Sequence, residues 1–194
     1  MKLTPEVYPI VEYLSKFVVL SEREVKSFVS KLQYKTCKKG DILLKEGDVC
    51  NEIYFILQGT LRAYTKVDGE QNRTFNFAFD GTIFTEQVSF ASQQPSTDYL
   101  DALEDCKLLY ITHERLQWLF DKFHGWERAG RLINQFYFCE ERNRVRSFML
   151  DDATLRYQKL LIEFPAVEKK IPQHIIASYL NITPQSLSRL KKGL

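Results

Sequence analysis

Four side chains near the end of the chain, Gln185, Ser188, Arg189 and Lys192, fall at i, i+3, i+4 and i+7. That spacing stacks them on one face of a helix. Gln and Arg are the side chains that pair bidentately with adenine and guanine edges in a major groove. Thr183, Ser186, Ser188, Lys191 and Lys192 add hydroxyl and ammonium groups suited to phosphate oxygens, and a helix N-terminus adds its dipole. Together these groups point to recognition of double-stranded DNA. Residues 169–194 carry Lys169, Lys170, Arg189, Lys191 and Lys192 and no acid, so this stretch is +5 in a chain whose net charge is +2. A basic end on an otherwise acidic body suits a polyanion. A plain helical hairpin with a solvated polar face is the competing reading.

The local sequence positions that face. Gln173 to Leu180 fits a first helix, with Ile175, Ile176 and Leu180 apolar and the small Ala177 leaving room for a second helix to cross closely. Asn181 accepts a left-handed backbone. Ile182 can plug the gap between the helices. Thr183 is a good N-cap and Pro184 suits the first helical position, so a second helix runs from Pro184 to about Lys192 with Leu187 and Leu190 inward. Helix, tight turn, helix is the geometry that lays a second helix in the major groove.

Further elements precede it. Residues 5–33 fit two short helices broken near Leu20-Ser21, where Ser21 and Glu24 form a capping box. Residues 34–111 are punctuated by glycines at 40, 47, 59, 69 and 81 and alternate in polarity. In TLRAYTKV, Leu61, Ala63, Thr65 and Val67 share one face, and in RTFNFAF, Phe75, Phe77 and Phe79 point inward. Val67-Asp68-Gly69-Glu70 carries a hairpin signal. Many short alternating strands predict a sandwich or barrel. Residues 112–148 read as one long helix, interrupted near His124-Gly125 and apolar on more than one side. One stripe can pack on the β domain, and the surplus predicts a second copy of the same helix, hence a two-fold homodimer. Residues 151–164 form a helix capped by Asp151 or Asp152 and ended by Pro165.

Composition excludes several classes. Hydrophobic residues are 44% and aromatics 13% of the 194 residues, which predicts a packed core. No apolar run approaches the ~18 residues of a membrane span. The N-terminal MKLTPEVYPIVEYL lacks an unbroken apolar stretch, so a cytoplasmic protein without membrane association is expected. The cysteines at 37, 50, 106 and 139 form no C-x-x-C pair and have no histidine at ligand spacing, which predicts reduced, mostly buried thiols and no metal site. His113, His124 and His174 are isolated, and no nucleophile-elbow, Walker or dinucleotide motif is present, so no catalytic residues and no enzyme activity are expected.

Two separate motifs, in order, resemble the Crp/Fnr superfamily of bacterial regulators over nearly the whole chain. KKGDILLKEGD, EIYFILQGTLRAY and ALEDCKLLYIT are similar to that family's cyclic-nucleotide-binding domain, with Gly40, Gly47 and Gly59 as its turn glycines. IPQHIIASYLNITPQSLSRLKK is similar to its helix-turn-helix. The resemblance implies an α+β fold in three parts. Residues 1–115 would form a double-stranded β-helix (a jelly-roll or β-roll) sensor with flanking helices, 116–148 a dimerisation helix, and 149–194 an all-α helix-turn-helix domain without a full wing. It implies a homodimeric transcription regulator with RNA polymerase as a further partner. The alternative is a ligand-sensing or protein-interaction module that no longer binds DNA specifically.

The cassette that binds the cyclic-nucleotide phosphate in the family aligns with TEQVSFASQQPSTD. Glu86 matches the glutamate on the ribose hydroxyl and Thr97 the phosphate-binding hydroxyl, but Thr85 replaces the glycine and Ser96 the arginine. Losing that arginine removes the bidentate clamp on the phosphate. Where a cyclic-AMP binder presents a Thr-Ser pair, an ungapped register puts Glu141-Arg142. A cyclic nucleotide is therefore doubtful as the cofactor, and another anionic effector, or none, is the expectation. Arg62 or Arg73 would be the substitute cation. The short end after Lys192 predicts a reduced phosphate footprint and strongly salt-sensitive binding.

Overall fold

The protein is described from a computed structural model, over residues 4–67 and 71–192. The turn expected at Asp68-Gly69-Glu70 lies outside the described residues. In chain order the elements are α1 (Tyr8–Ser15), α2 (Glu22–Val29), β1 (Gln33–Cys37), β2 (Ile42–Leu44), β3 (Glu52–Gln58), β4 (Leu61–Val67), β5 (Gln71–Ala78), β6 (Ile83–Phe84), α3 (Gln87–Ser92), β7 (Tyr99–Ala102), β8 (Cys106–Thr112), α4 (His113–Lys122), α5 (His124–Leu150), α6 (Ala153–Glu163), α7 (Val167–Lys170), α8 (Gln173–Tyr179) and α9 (Pro184–Lys192). The strands form two four-stranded sheets, ordered β1-β8-β3-β6 and β2-β7-β4-β5. The pairs β1–β8, β3–β8, β3–β6 and β2–β7 are antiparallel. This is the mixed α+β architecture expected of a β-roll with flanking helices.

Two compact units divide the chain: Met1–Arg62 with Phe77–Tyr137, and Ala63–Asn76 with Phe138–Leu194. The division does not coincide with the breaks expected after 115 and 148. It cuts the long helix α5 between Tyr137 and Phe138, and it assigns most of the β4–β5 pair to the second unit.

In the first unit, α1, α2, α4 and the start of α5 cover one face of the β1-β8-β3-β6 sheet. Phe55, Leu109 and Ile111 from the strands share a core with Ile10, Leu14, Phe28, Leu119, Trp126 and Ala129 from the helices. The capping box at α2 is present: the Ser21 amide donates to Glu24 Oε2 at 2.8 Å, and the Glu24 amide donates to Ser21 Oγ at 3.4 Å. Glu24 Oε1 also accepts from the Gly125 amide at 3.0 Å, tying α2 to the first turn of α5. The long helical stretch is interrupted where expected. Phe123 adopts an extended backbone (φ −139°, ψ 113°) between α4 and α5.

Gly40, Gly47, Gly59 and Gly81 all adopt positive φ, as their turn positions suggest, and Gly59 shows why. Its φ is +114°, and a Cβ there would lie 2.5 Å from Cys106 Sγ and 2.9 Å from Cys106 Cα. Only glycine fits both the conformation and the approach. The alternation expected along β4 holds less well. Leu61, Arg62, Ala63 and Tyr64 are all buried, because the strand is covered on both faces at that end. Among the three phenylalanines expected inside, Phe77 is buried, whereas Phe75 and Phe79 are half-buried and Phe79 follows the end of β5.

Cys37, Cys50 and Cys106 are buried and Cys139 is exposed. Burial pushes the Cys37 thiol up and the Cys106 thiol up to about 11. Thiolate is the reactive form. A thiol reagent at about pH 8 therefore labels Cys139 in the native protein and reaches the other three only in denaturant. A second label appearing under native conditions in an intact-mass measurement would contradict this packing.

Candidate nucleic-acid interface and effector pocket

In the second unit, α8 and α9 are joined by a tight turn built as the residue types require. Asn181 is left-handed at φ 55°. The Ile182 amide donates to the Ala177 carbonyl at 3.0 Å, closing the end of α8. Thr183 Oγ1 accepts from the Ser186 amide at 3.1 Å and so caps α9, with Pro184 in the first helical position. Ala177, Leu180 and Leu187 have no solvent exposure, and Ile176 is 1% exposed. Leu190 is half-buried and Ile182 likewise.

The polar row on α9 is exposed, with Gln185, Ser186, Ser188, Arg189 and Lys192 all open to solvent. Two of the proposed phosphate contacts differ from the rest. The Thr183 hydroxyl is engaged in the cap and lies 2.9 Å from Ser186 Oγ. Lys191 is half-buried, and its Nζ sits 2.5 Å from Glu168 Oε1 on α7. Glu168 also accepts from the Tyr157 hydroxyl at 2.6 Å. Lys191 and Tyr157 together hold the Glu168 carboxyl below the usual carboxylate range. Lys191 thus braces α9 against α7 and is less available to phosphate than Lys192.

Two further residues position this face and carry no signal in the periodicity. Arg156 on α6 donates from Nη1 to the Asp151 carbonyl at 2.7 Å and from Nη2 to the Leu180 carbonyl at 3.1 Å. It thereby holds the last residue before the turn. Ser178 on α8 donates from Oγ to the Asn72 carbonyl at 3.0 Å and accepts from the Thr74 amide at 2.9 Å. That serine ties the first helix of the motif to strand β5.

The residues expected to line an anion pocket are split between the units. Arg62, Thr85, Glu86, Ser96 and Thr97 belong to the first unit, and Arg73, Glu141 and Arg142 to the second. Within the first unit, the side chains are committed to the protein itself. Arg62 is 8% exposed and donates from Nε to Asp101 Oδ1 at 2.9 Å and from Nη2 to Asp101 Oδ2, so it is a structural cation rather than the substitute clamp. Glu86 accepts from the Val88 amide at 2.9 Å and the Ser89 amide at 2.7 Å, capping α3. Its carboxylate already occupies that helix end and repels a second anion there. Ser96, in the arginine's place, closes a local turn. Its Oγ accepts from the Asp98 amide at 3.0 Å and donates to the Asp98 carbonyl at 3.2 Å. Thr85 Oγ1 donates to the Glu52 carbonyl at 2.9 Å. Thr97 is exposed. In the second unit Arg73, Glu141 and Arg142 are exposed, and Glu141 lies 3.6 Å from Arg144.

Comparison with known proteins fits this architecture. Residues 34–123 match the model of the cyclic nucleotide-binding domain. A comparison with curated proteins gives no match. Among solved structures, FixK2 from Bradyrhizobium japonicum aligns with TM-score 0.69 at 16% identity, over 84% of each chain. The c-di-GMP-responsive global regulator CLP from Xanthomonas campestris aligns with TM-score 0.67 at 15% identity, over 89% of this chain and 91% of that one. The catabolite activator protein of Thermus thermophilus aligns with TM-score 0.55 at 20% identity, over 94% of this chain and 86% of that one. The chain therefore has the fold of the Crp-type regulators. No helix among the described residues is long and apolar enough to cross a membrane, and no three His, Cys, Asp or Glu side chains among them group as metal ligands.

Proposed function

We propose that the chain is a homodimeric, sequence-specific DNA-binding transcription regulator of the Crp/Fnr type. The observation that carries the reading is the exposed row Gln185, Ser188, Arg189, Lys192 on a helix whose opposite side is anchored by the fully buried Leu187. A polar face with two base-reading side chains, held rigidly by a capped turn, is what direct readout requires.

The dimer reading rests on α5. Its second-unit part presents Phe138 (66% exposed), Val145 (49%) and Met149 (78%) at i, i+7 and i+11, with Arg142 between them. Such a stripe suits self-association along a two-fold axis. In this reading residues 1–115 sense, the long helix pairs, and residues 149–194 read DNA. A cyclic nucleotide is disfavoured as the effector, because Ser96 stands where the family's arginine would clamp its phosphate.

The test is fluorescence anisotropy of labelled DNA from the region upstream of the gene, titrated at two salt concentrations with competitor DNA present. Specific binding that resists competitor and weakens with salt supports the regulator. Absence of saturable binding at low salt, with sedimentation showing a monomer at micromolar concentration, overturns it.

A further inference from the structure

The first unit contains a cavity of about 270 Å³ that shares only Thr85 with the residues expected to line an anion pocket. Its floor is the helix-covered face of the sheet, with Ile53 and Ile111, and its walls include Leu14, Phe28, Phe120 and Ile133 from the covering helices. The cavity opens to solvent past the exposed Gln87, Gln117 and Asn134, and a concave, mostly apolar site with a few polar groups at its rim is the kind that takes small molecules. We propose that this cavity is a binding site for an uncharged, predominantly aromatic or aliphatic small molecule, and that this ligand is the effector of the regulator. The second half rests on the regulator reading. The first does not.

Three observations define the ligand's chemistry. No residue lining the cavity is Asp, Glu, Lys or Arg. An ion entering it would lose its hydration with no carboxylate, ammonium or guanidinium there to meet it, His113 being the one imidazole in the lining, at a cost of several kcal/mol. The polar groups at its border are also largely satisfied by the protein. Tyr137 and Tyr13 hydroxyls lie 2.6 Å apart, Gln87 Nε2 donates to Asn134 Oδ1 at 2.9 Å, and Thr85 is bound to Glu52. The size is informative too. An apolar cavity of roughly 150 Å³ stays dry and takes benzene, so this one accommodates about two rings.

The position explains how such a ligand would act. Phe90 of α3 lines the cavity and meets the His113 ring edge-on, with centroids 5.1 Å apart. Gly130 of α5 lines it as well, and a Cβ there would lie 2.7 Å from the Phe120 ring of α4. The occupant therefore touches both sides of the α4–α5 junction from which the long helix departs. A ligand shifts an equilibrium only through different affinities for the two states. A junction this tightly packed changes its fit to the ligand when either helix moves.

Trp126 lines the cavity and Trp118 does not, so Trp118→Phe leaves one reporting tryptophan. The probes are N-phenyl-1-naphthylamine, which is uncharged, and 8-anilinonaphthalene-1-sulfonate, which has nearly the same rings plus a sulfonate. The expected result is saturable one-to-one binding of the neutral probe with energy transfer from Trp126, and binding of the sulfonate weaker by about tenfold or more. Ile133→Phe, which adds volume to the cavity wall, should weaken the neutral probe by a similar factor of about ten at an unchanged urea midpoint. Failure of the neutral probe to saturate, or equal binding of the anionic one, overturns the site whatever Ile133→Phe does. DNA affinity is then measured with and without saturating neutral probe. A change supports the effector role. An unchanged affinity leaves the site standing and removes that role. Absence of DNA binding both with and without the probe removes the regulator reading instead, and Trp126 still judges the site.

Discussion

Arg62→Ala should lower the stability of the protein by about 3–5 kcal/mol, measured by urea denaturation. Arg62 and Asp101 are each 8% exposed, and the guanidinium engages both carboxylate oxygens of Asp101. Alanine removes one ion and leaves the other buried without its partner, and an uncompensated buried charge is the expensive outcome. The double variant Arg62→Met, Asp101→Leu removes both charges and fills the space, so most of the loss should be recovered. A single variant that costs under about 1 kcal/mol would mean that Asp101 is solvated or has other sufficient partners.

Arg189→Ala is the second large effect. It should weaken specific DNA binding by about 1–3 kcal/mol, roughly 5- to 150-fold, and relax the preference at one base pair. Arg189 is exposed and sits one turn after Gln185 on α9, so truncating it removes no packing. The urea midpoint should therefore stay where it was. Lys192→Ala is the contrasting case. Loss of a phosphate contact lowers affinity evenly across sequences and reduces the salt slope by about 1. If Arg189→Ala behaved like that, Arg189 would be a backbone contact and the base-reading role would pass to Gln185.

The parts of this fold that could be read beforehand are those set by neighbours in the chain. Ser21 and Glu24, Asn181, Thr183 and Pro184, and the glycines at 40, 47, 59 and 81 each obey a rule that spans at most a few residues. The structure realises each of them in its local geometry. What could not be read depends on partners far along the chain. Arg62 was a candidate ligand-binding cation until its pairing with Asp101, 39 positions away, placed it in the interior. Lys191 looked equivalent to Lys192 until Glu168 claimed it. Glu86 matched a family position, but the helix that follows it draws its carboxylate into a cap. The cavity is a stronger instance. A void is a shortfall of side-chain volume among several elements, and no periodicity or motif records it.

The route of the backbone has a consequence for anyone who would take the protein apart. The chain crosses from one compact unit to the other three times, after Arg62, after Asn76 and after Tyr137. Excising the C-terminal helices as a fragment from residue 138 onward therefore leaves behind residues 63–76, which are part of the same unit and hold both backbone partners of the Ser178 hydroxyl. A single proteolytic nick cannot release either unit whole. Grafting this second unit onto another protein requires transplanting two segments, and a chimera that carries only the terminal one would lack the strand that α8 grips through Ser178.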